Sequence, residues 1–113
     1  MSADNCVAIL QTKDRFRNVY NDQGDIIEAE ATDGITAYRV AYTYMSALEN
    51  YDWCIEHEMH NLGAHMLDDF KKSHVYYDRS EAIDAAQAIA DKYDYLEYGI
   101  CFKDMSNYNF PFC

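Results

Sequence analysis

The chain has 113 residues, with 20 Asp and Glu against nine Lys and Arg. The resulting net charge of -11 excludes ready binding to nucleic acid or anionic membranes and favours basic protein partners. A hydrophobic fraction of 50%, with eleven tyrosines, excludes a disordered acidic tail, because disordered chains are poor in aromatic residues.

The length predicts one domain over residues 1–113, with an irregular aromatic tail over about residues 104–113. The N-terminal residues lack a cationic start followed by an apolar stretch, which argues against a signal peptide. No apolar run approaches the ~18–20 residues of a membrane span. The four cysteines form no CxxC pair, so we expect reduced thiols in a cytoplasmic protein: Cys6, Cys54, Cys101 and Cys113.

The first predicted elements are strands. Residues 6–10 form a continuous apolar run, which is typical of a strand covered on both faces or lying in mid-sheet. Residues 15–20 and 26–31 are strand-like and flank a polar, Gly-containing cluster at residues 21–25. This arrangement predicts a hairpin.

From Ile35 the spacing changes to three- and four-residue steps, which predicts an amphipathic helix. Asp33 is its expected N-cap. The pattern is compatible with two C-terminal ends for this helix, one near Asn50 and one at Gly63. Glycine is a residue type common just after helices. The apolar stripe consists of Tyr38, Ala41, Met45 and Leu48.

The second half begins with a short predicted helix bearing Met66, Leu67 and Phe70, followed by a strand over residues 74–77. Residues 78–81 then resemble a capping box, in which Asp78 and Glu81 satisfy the first free N–H groups of a helix. That helix carries an apolar face of Ala82, Ile83, Ala86, Ile89 and Tyr93.

Residues 95–103 alternate, which predicts a half-buried strand. Its core-facing side chains are Leu96, Tyr98, Ile100 and Phe102. The order of elements predicts an α+β fold, a two-layer domain with a small antiparallel or mixed sheet and two to three helices packed on one face.

Four stretches of the sequence share one resemblance: residues 6–10 with Thr12, 38–41 with Glu49 and Asn50, 78–82 and 96–100. They resemble small proteins of tailed bacteriophages that have no assigned activity. The resemblance covers about half of the chain, which departs from the pattern by an insertion over residues 15–34. It implies a phage protein that acts in the cytoplasm of a bacterial host, against a host system.

A metal site is one alternative. On a helix, Cys54, His57 and His60 would line a strip with His65 beyond it, and these are ligand types that zinc accepts. Their spacing matches neither HExxH nor a paired-knuckle pattern, so we expect no metal and no cofactor. Phosphate-binding loops and nucleophile motifs are absent from the sequence, which favours a protein that is not an enzyme.

The acidic residues around the central helix favour a binding function. Carboxylates there alternate with aromatic residues, and the successive charges have a spacing comparable with that of DNA phosphates. We therefore expect an anti-defence inhibitor that mimics nucleic acid and occupies a basic surface of a host protein, such as a CRISPR effector, restriction enzyme or repair nuclease. The predicted partner-binding residues are Glu49, Tyr51, Asp52, Trp53, Glu56, Glu58, Asp68 and Asp69.

A third hypothesis is a homo-oligomeric structural protein. Exposed tyrosines and the C-terminal residues Phe110 and Phe112 would then be buried between copies. The sequence does not separate this hypothesis from the inhibitor, because both use exposed aromatic side chains.

Overall fold

The computed structural model describes residues 4–106. The strands form one mixed sheet in the order β3-β2-β1-β4, in which β4 runs parallel to β1 and the other pairs are antiparallel. The prediction of an α+β fold built on a mixed sheet with helices is confirmed. In chain order the elements are β1 (Asn5–Tyr20), β2 (Ile26–Tyr44), α1 (Met45–Glu56), α2 (His60–Met66), a 3-10 helix (Asp68–Phe70), β3 (Val75–Tyr76), α3 (Arg79–Ala90) and β4 (Ile100–Asp104).

Residues 5–10 of β1 are buried on both faces of the sheet, as the continuous apolar run indicates. Successive side chains of a strand point to opposite faces, so one face receives Cys6, Ala8 and Leu10 and the other Val7 and Ile9. The first set packs against α1 and the 3-10 helix, and the second packs against α3. The three helices therefore cover two faces of the sheet, and the predicted placement on one face is wrong.

Residues 35–44 belong to β2, so the prediction of a helix from Ile35 is wrong there. Antiparallel pairing of Ala41 with Ala8 and of Val40 with Ile9 places this segment in the middle of the sheet. Because both of its faces are covered, apolar residues occupy both sets of alternating positions and produce a helix-like spacing by coincidence. Helix α1 begins only at Met45.

Gly63 lies inside α2 instead of ending a long helix. A Cβ at this position would lie 3.3 Å from Cys54 Cβ and 3.5 Å from Ile55 Cδ1. The missing side chain therefore lets α2 pack closely against α1, which ends at Glu56.

Other predicted elements are present in the structure. Residues 21–25 form the hairpin turn, and β3 lies within residues 74–77. Asp78 is the N-cap of α3, where its side chain accepts hydrogen bonds from the Ser80 backbone N–H (3.4 Å) and hydroxyl (2.8 Å). The Asp78 carboxylate therefore accepts its capping bond from the backbone N–H of Ser80, the second residue of the helix.

The last strand is shorter than predicted, and the side chains that face the α1 core are the opposite set from those predicted. It begins at Ile100, and the segment before it is held by Asn5, whose side chain bonds Tyr95 O and Glu97 N at 2.9 Å each. Cys101 packs against the α1 core, while Ile100 and Phe102 are exposed. The predicted tail over residues 104–113 lies mostly outside the described residues.

The hairpin projects beyond the core and then folds back. We call residues 16–31 the arm. In a straight β2, a rise of ~3.3 Å per residue would separate Ile26 from Arg39 by roughly 40 Å. Yet Tyr20, which pairs with Ile26, accepts a 2.9 Å hydrogen bond from Val75 N, and Val75 pairs with Arg39. The ladder must therefore bend between these points.

The bend coincides with a bulge in the ladder. Asp14 pairs with Ile35 but Phe16 pairs with Ala31, so residues 32–34 of β2 lie opposite Arg15 alone and β2 has two extra residues. Gly34 has φ of +117°, a value that other residues rarely adopt. Just inside the bulge, buried Asp14 forms a 2.7 Å ion pair with Arg39, which fixes the base of the arm.

Candidate functional site

The outer side of α1 carries three carboxylates at helical spacing. Glu49, Asp52 and Glu56 lie three and four residues apart and share one side of the helix. Residues 40–70, which include α1, α2 and the 3-10 helix, contain no Lys or Arg. Apart from histidines, the charged side chains of this segment are therefore all carboxylates, and Lys71 and Lys72 follow directly after it. We call its carboxylates the acidic face: Glu49, Asp52, Glu56, Glu58, Asp68 and Asp69.

Trp53 stands within this face and is 50% exposed. Its indole stacks on His57 with ring centroids 4.1 Å apart, and His57 Nδ1 lies 2.8 Å from Trp53 O. The ring is thus held in place before any partner arrives, so little side-chain entropy is lost when it is covered. Exposed Trp is a residue type enriched at the centres of protein interfaces.

Three of the carboxylates already have partners. Asp52 pairs with Lys103 at 2.6 Å, Asp68 with His65 at 3.6 Å, and Asp69 accepts a 2.9 Å bond from the Thr43 hydroxyl. Within residues 4–106, no salt bridge involves Glu49, Glu56 or Glu58. These three exposed side chains supply the uncompensated charge of the acidic face.

Tyr51 does not belong to this surface. Only 2% of the residue is exposed, and it packs in the core with Leu48, Leu67 and Phe70. Its position three residues after Leu48 places both side chains on the inner side of α1. The prediction of Tyr51 as a partner-binding residue is therefore wrong, whereas the other seven predicted residues lie in the α1, α2 and 3-10 layer or its turns.

The anionic surface continues from α1 to the start of β1. The pKa of Tyr98 is raised, first by the charge of Glu97 and also by Asp4 and Glu49. Asp4 N donates a 2.6 Å bond to Glu97, and Asp4 Oδ2 accepts one from Ser46 N at 3.0 Å. Carboxylates from three separate segments thus act on a single exposed phenol.

The residues of the metal hypothesis do not converge. Cys54 is buried in the core and His57 stacks on Trp53. His65 faces Asp68, and His60 begins α2. Within the described residues no group of three or more His, Cys, Asp or Glu side chains is placed to hold a metal ion.

Exposed apolar and aromatic side chains, which the homo-oligomer hypothesis needs, occur on the arm and on several other elements, where they include Tyr95 and Tyr98. Phe16, Ile26 and Ile27 are each half exposed or more. Phe110 and Phe112, which that hypothesis also invoked, lie outside the described residues.

A second surface feature was missed by the sequence analysis. Where the arm folds back, it forms an open cleft of about 600 Å³ with β3 and the start of α3. Its walls include Tyr20 from the arm and His74, Tyr76 and Tyr77 from the opposite side. The only sequence signal was the clustering of aromatic residues in 74–77, because the approach of Tyr20 depends on the bulge.

Comparisons with family models, curated proteins and solved structures gave no match to this chain. In the described part of the chain, no helix combines the length and apolar character needed to cross a membrane.

Proposed function

We propose that this protein is a non-catalytic inhibitor whose acidic face occupies a basic surface of a nucleic-acid-handling protein. The observation that carries the proposal is an exposed, pre-positioned Trp53 between the unpaired carboxylates Glu49 and Glu56. The aromatic ring would supply desolvated contact area. The carboxylates would supply electrostatic steering and choice of partner.

The arrangement of charge supports a partner that ordinarily binds phosphates. Along α1, Glu49, Asp52 and Glu56 are separated by roughly 4.5 and 6 Å of axial rise. Phosphates of one DNA strand follow each other at ~3.4 Å along the helix axis, so the two rows have spacings of the same order. A groove lined with Lys and Arg that accommodates one row would accept the other.

The biological setting forms part of the proposal. The resemblance to tailed-bacteriophage proteins motivates a phage-encoded protein acting in the bacterial cytoplasm. Host systems that handle nucleic acid, such as CRISPR effectors, restriction enzymes and repair nucleases, present basic channels of the required kind.

The test uses the purified protein immobilised on beads and a bacterial extract. Capture in about 0.05 M salt and release in about 0.5 M is expected, since screening weakens exposed charge pairs. The captured protein, once identified and purified, should bind DNA or RNA less tightly when this protein is added. A complex that forms equally well at both salt concentrations, or that leaves nucleic-acid binding unchanged, would contradict the proposal.

A further inference from the structure

Hydrogen bonds hold aromatic rings in place on both walls of the cleft beneath the arm. Tyr20 accepts a hydrogen bond from Val75 N (2.9 Å), and Tyr77 accepts one from Asn18 N (2.7 Å). Each bond joins the arm to the β3 segment, so the two walls hold each other in place. The cleft is therefore formed in the free protein, which is typical of small-molecule sites.

The rings make one continuous aromatic wall. His74 stacks on Tyr20 with centroids 3.8 Å apart and an interplanar angle of 24°. His74 also contacts Tyr76, with ring centroids 4.7 Å apart. Burial lowers the pKa of His74, so the imidazole is neutral at pH 7 and adds no positive charge to the wall.

Three carboxylates and one guanidinium line the same cleft. Glu30 is the register partner of Arg17 across the arm, and Asp78 is occupied in capping α3. Glu81 remains exposed, without a hydrogen bond or ion pair among the contacts of residues 4–106. Glu81 lines the same cleft as His74 and Tyr76, and its charge acts on the pKa of both rings.

We propose that this cleft binds the guanidinium or ammonium group of an organic cation, with Glu81 as the counter-charge and the rings of Tyr76 and His74 as the wall. A cation is attracted to the face of an aromatic ring, and most strongly when a carboxylate lies beside it. The protein already uses this chemistry in the cleft, because the Arg17 guanidinium lies 5.4 Å from the Tyr77 ring centroid. An anionic ligand is disfavoured by the three carboxylates.

This site lies on residues other than those of the acidic face, and the inference does not depend on the proposed function. The cation has two sources, a free polyamine or a Lys or Arg side chain of a polypeptide. Both present a positively charged ammonium or guanidinium group on an aliphatic stem, and they differ in what surrounds that stem.

The test is an NMR titration of the full chain with N-acetyl-arginine amide, N-acetyl-citrulline amide and putrescine. We expect saturable shifts of Tyr20, His74 and Tyr76 with a dissociation constant on the order of 1 mM for a cationic probe, and no saturation with neutral citrulline. Binding of the arginine probe alone identifies a guanidinium ligand, as an Arg side chain supplies, and binding of putrescine alone identifies an ammonium ligand, as a polyamine supplies. The proposal would be overturned if neither cation gave saturable shifts, or if citrulline bound as tightly as the cations.

Two pairs of variants separate local chemistry from overall charge. Glu81→Gln should weaken binding of the cation roughly fivefold, whereas Asp84→Asn, the same charge change one helical turn further along α3, should leave it within about twofold. Arg17→Gln should tighten binding about two- to fivefold because it removes a competing cation, and Lys92→Gln is its control. Equal effects within either pair would overturn the assignment, and each variant's backbone NMR spectrum reports whether the fold is retained.

Discussion

Tyr51 and Trp53 are two residues apart on α1 and lie in opposite environments. Tyr51 is 2% exposed and Trp53 is 50% exposed. Truncating a buried aromatic side chain removes its transfer free energy and leaves a cavity, so Tyr51→Ala should lower the free energy of unfolding by about 3–5 kcal/mol. Trp53→Ala should change it by less than about 1 kcal/mol.

Urea unfolding of the two variants measures both values. A Trp53→Ala loss as large as that of Tyr51→Ala would mean that the indole serves the core and is not free for a partner. Such a result would remove the aromatic anchor from the proposed interface.

Tyr20 of the arm stacks on His74, a histidine whose pKa is lowered. Burial lowers the pKa of His74 below its ordinary value of 6.5, against an opposing effect of Glu81. The folded state therefore favours the neutral ring. The stability that it contributes is complete above pH 6.5 and is lost as the pH falls through the lowered pKa.

We expect acidification from about pH 7 to pH 5 to loosen the contact between Tyr20 and His74 and to open the arm. Hydrogen-exchange protection factors of Asn18 and Val75, whose amides bond the tyrosines across the cleft, should fall over this range. In the non-titrating variant His74→Phe, protection should be independent of pH. A pH dependence that survives this substitution would assign the effect to another group.

The elements that could be predicted are those fixed by local chemistry. Asp78 caps α3, and Ala82 and Ala86 face the sheet, because capping and helical periodicity act within a few residues of each other. The segment around Tyr38 and Ala41 was predicted as a helix but is a strand. A strand covered on both faces loses the alternation of apolar and polar residues that identifies a strand in the sequence. Pairing with β1, which is distant in sequence, decides its conformation.

The two candidate sites also differ in whether local spacing or long-range contacts form them. Glu49, Trp53 and Glu56 lie on one helix, so their common exposure follows from their spacing once the helix is placed. The cleft could not be predicted, because it joins Tyr20 to His74 through a bulge at residues 32–34 and a fold-back of the arm. No local pattern encodes a contact of that sequence separation.

At the scale of the molecule, the negative charge is unevenly compensated. Carboxylates decorate both helical layers, and α3 carries Asp84 on its outer side with Arg79 at its start and Lys92 just after its end. Helices α1 and α2 contain no Lys or Arg, Lys103 pairs with Asp52, and Lys71 and Lys72 follow directly after the 3-10 helix. Glu49 and Glu56 form no salt bridge within the described residues, so we expect a cationic surface to dock there.

The most direct test compares two double variants that remove the same charge from opposite layers. One is Glu49→Gln with Glu56→Gln on α1, and the other is Asp84→Asn with Asp94→Asn in and after α3, all exposed residues. The measured quantity is the dissociation constant of the captured host protein at two salt concentrations. The account predicts at least about tenfold weaker binding and a smaller salt dependence for the first variant, and a change within about twofold for the second. Equal effects of the two variants would contradict it.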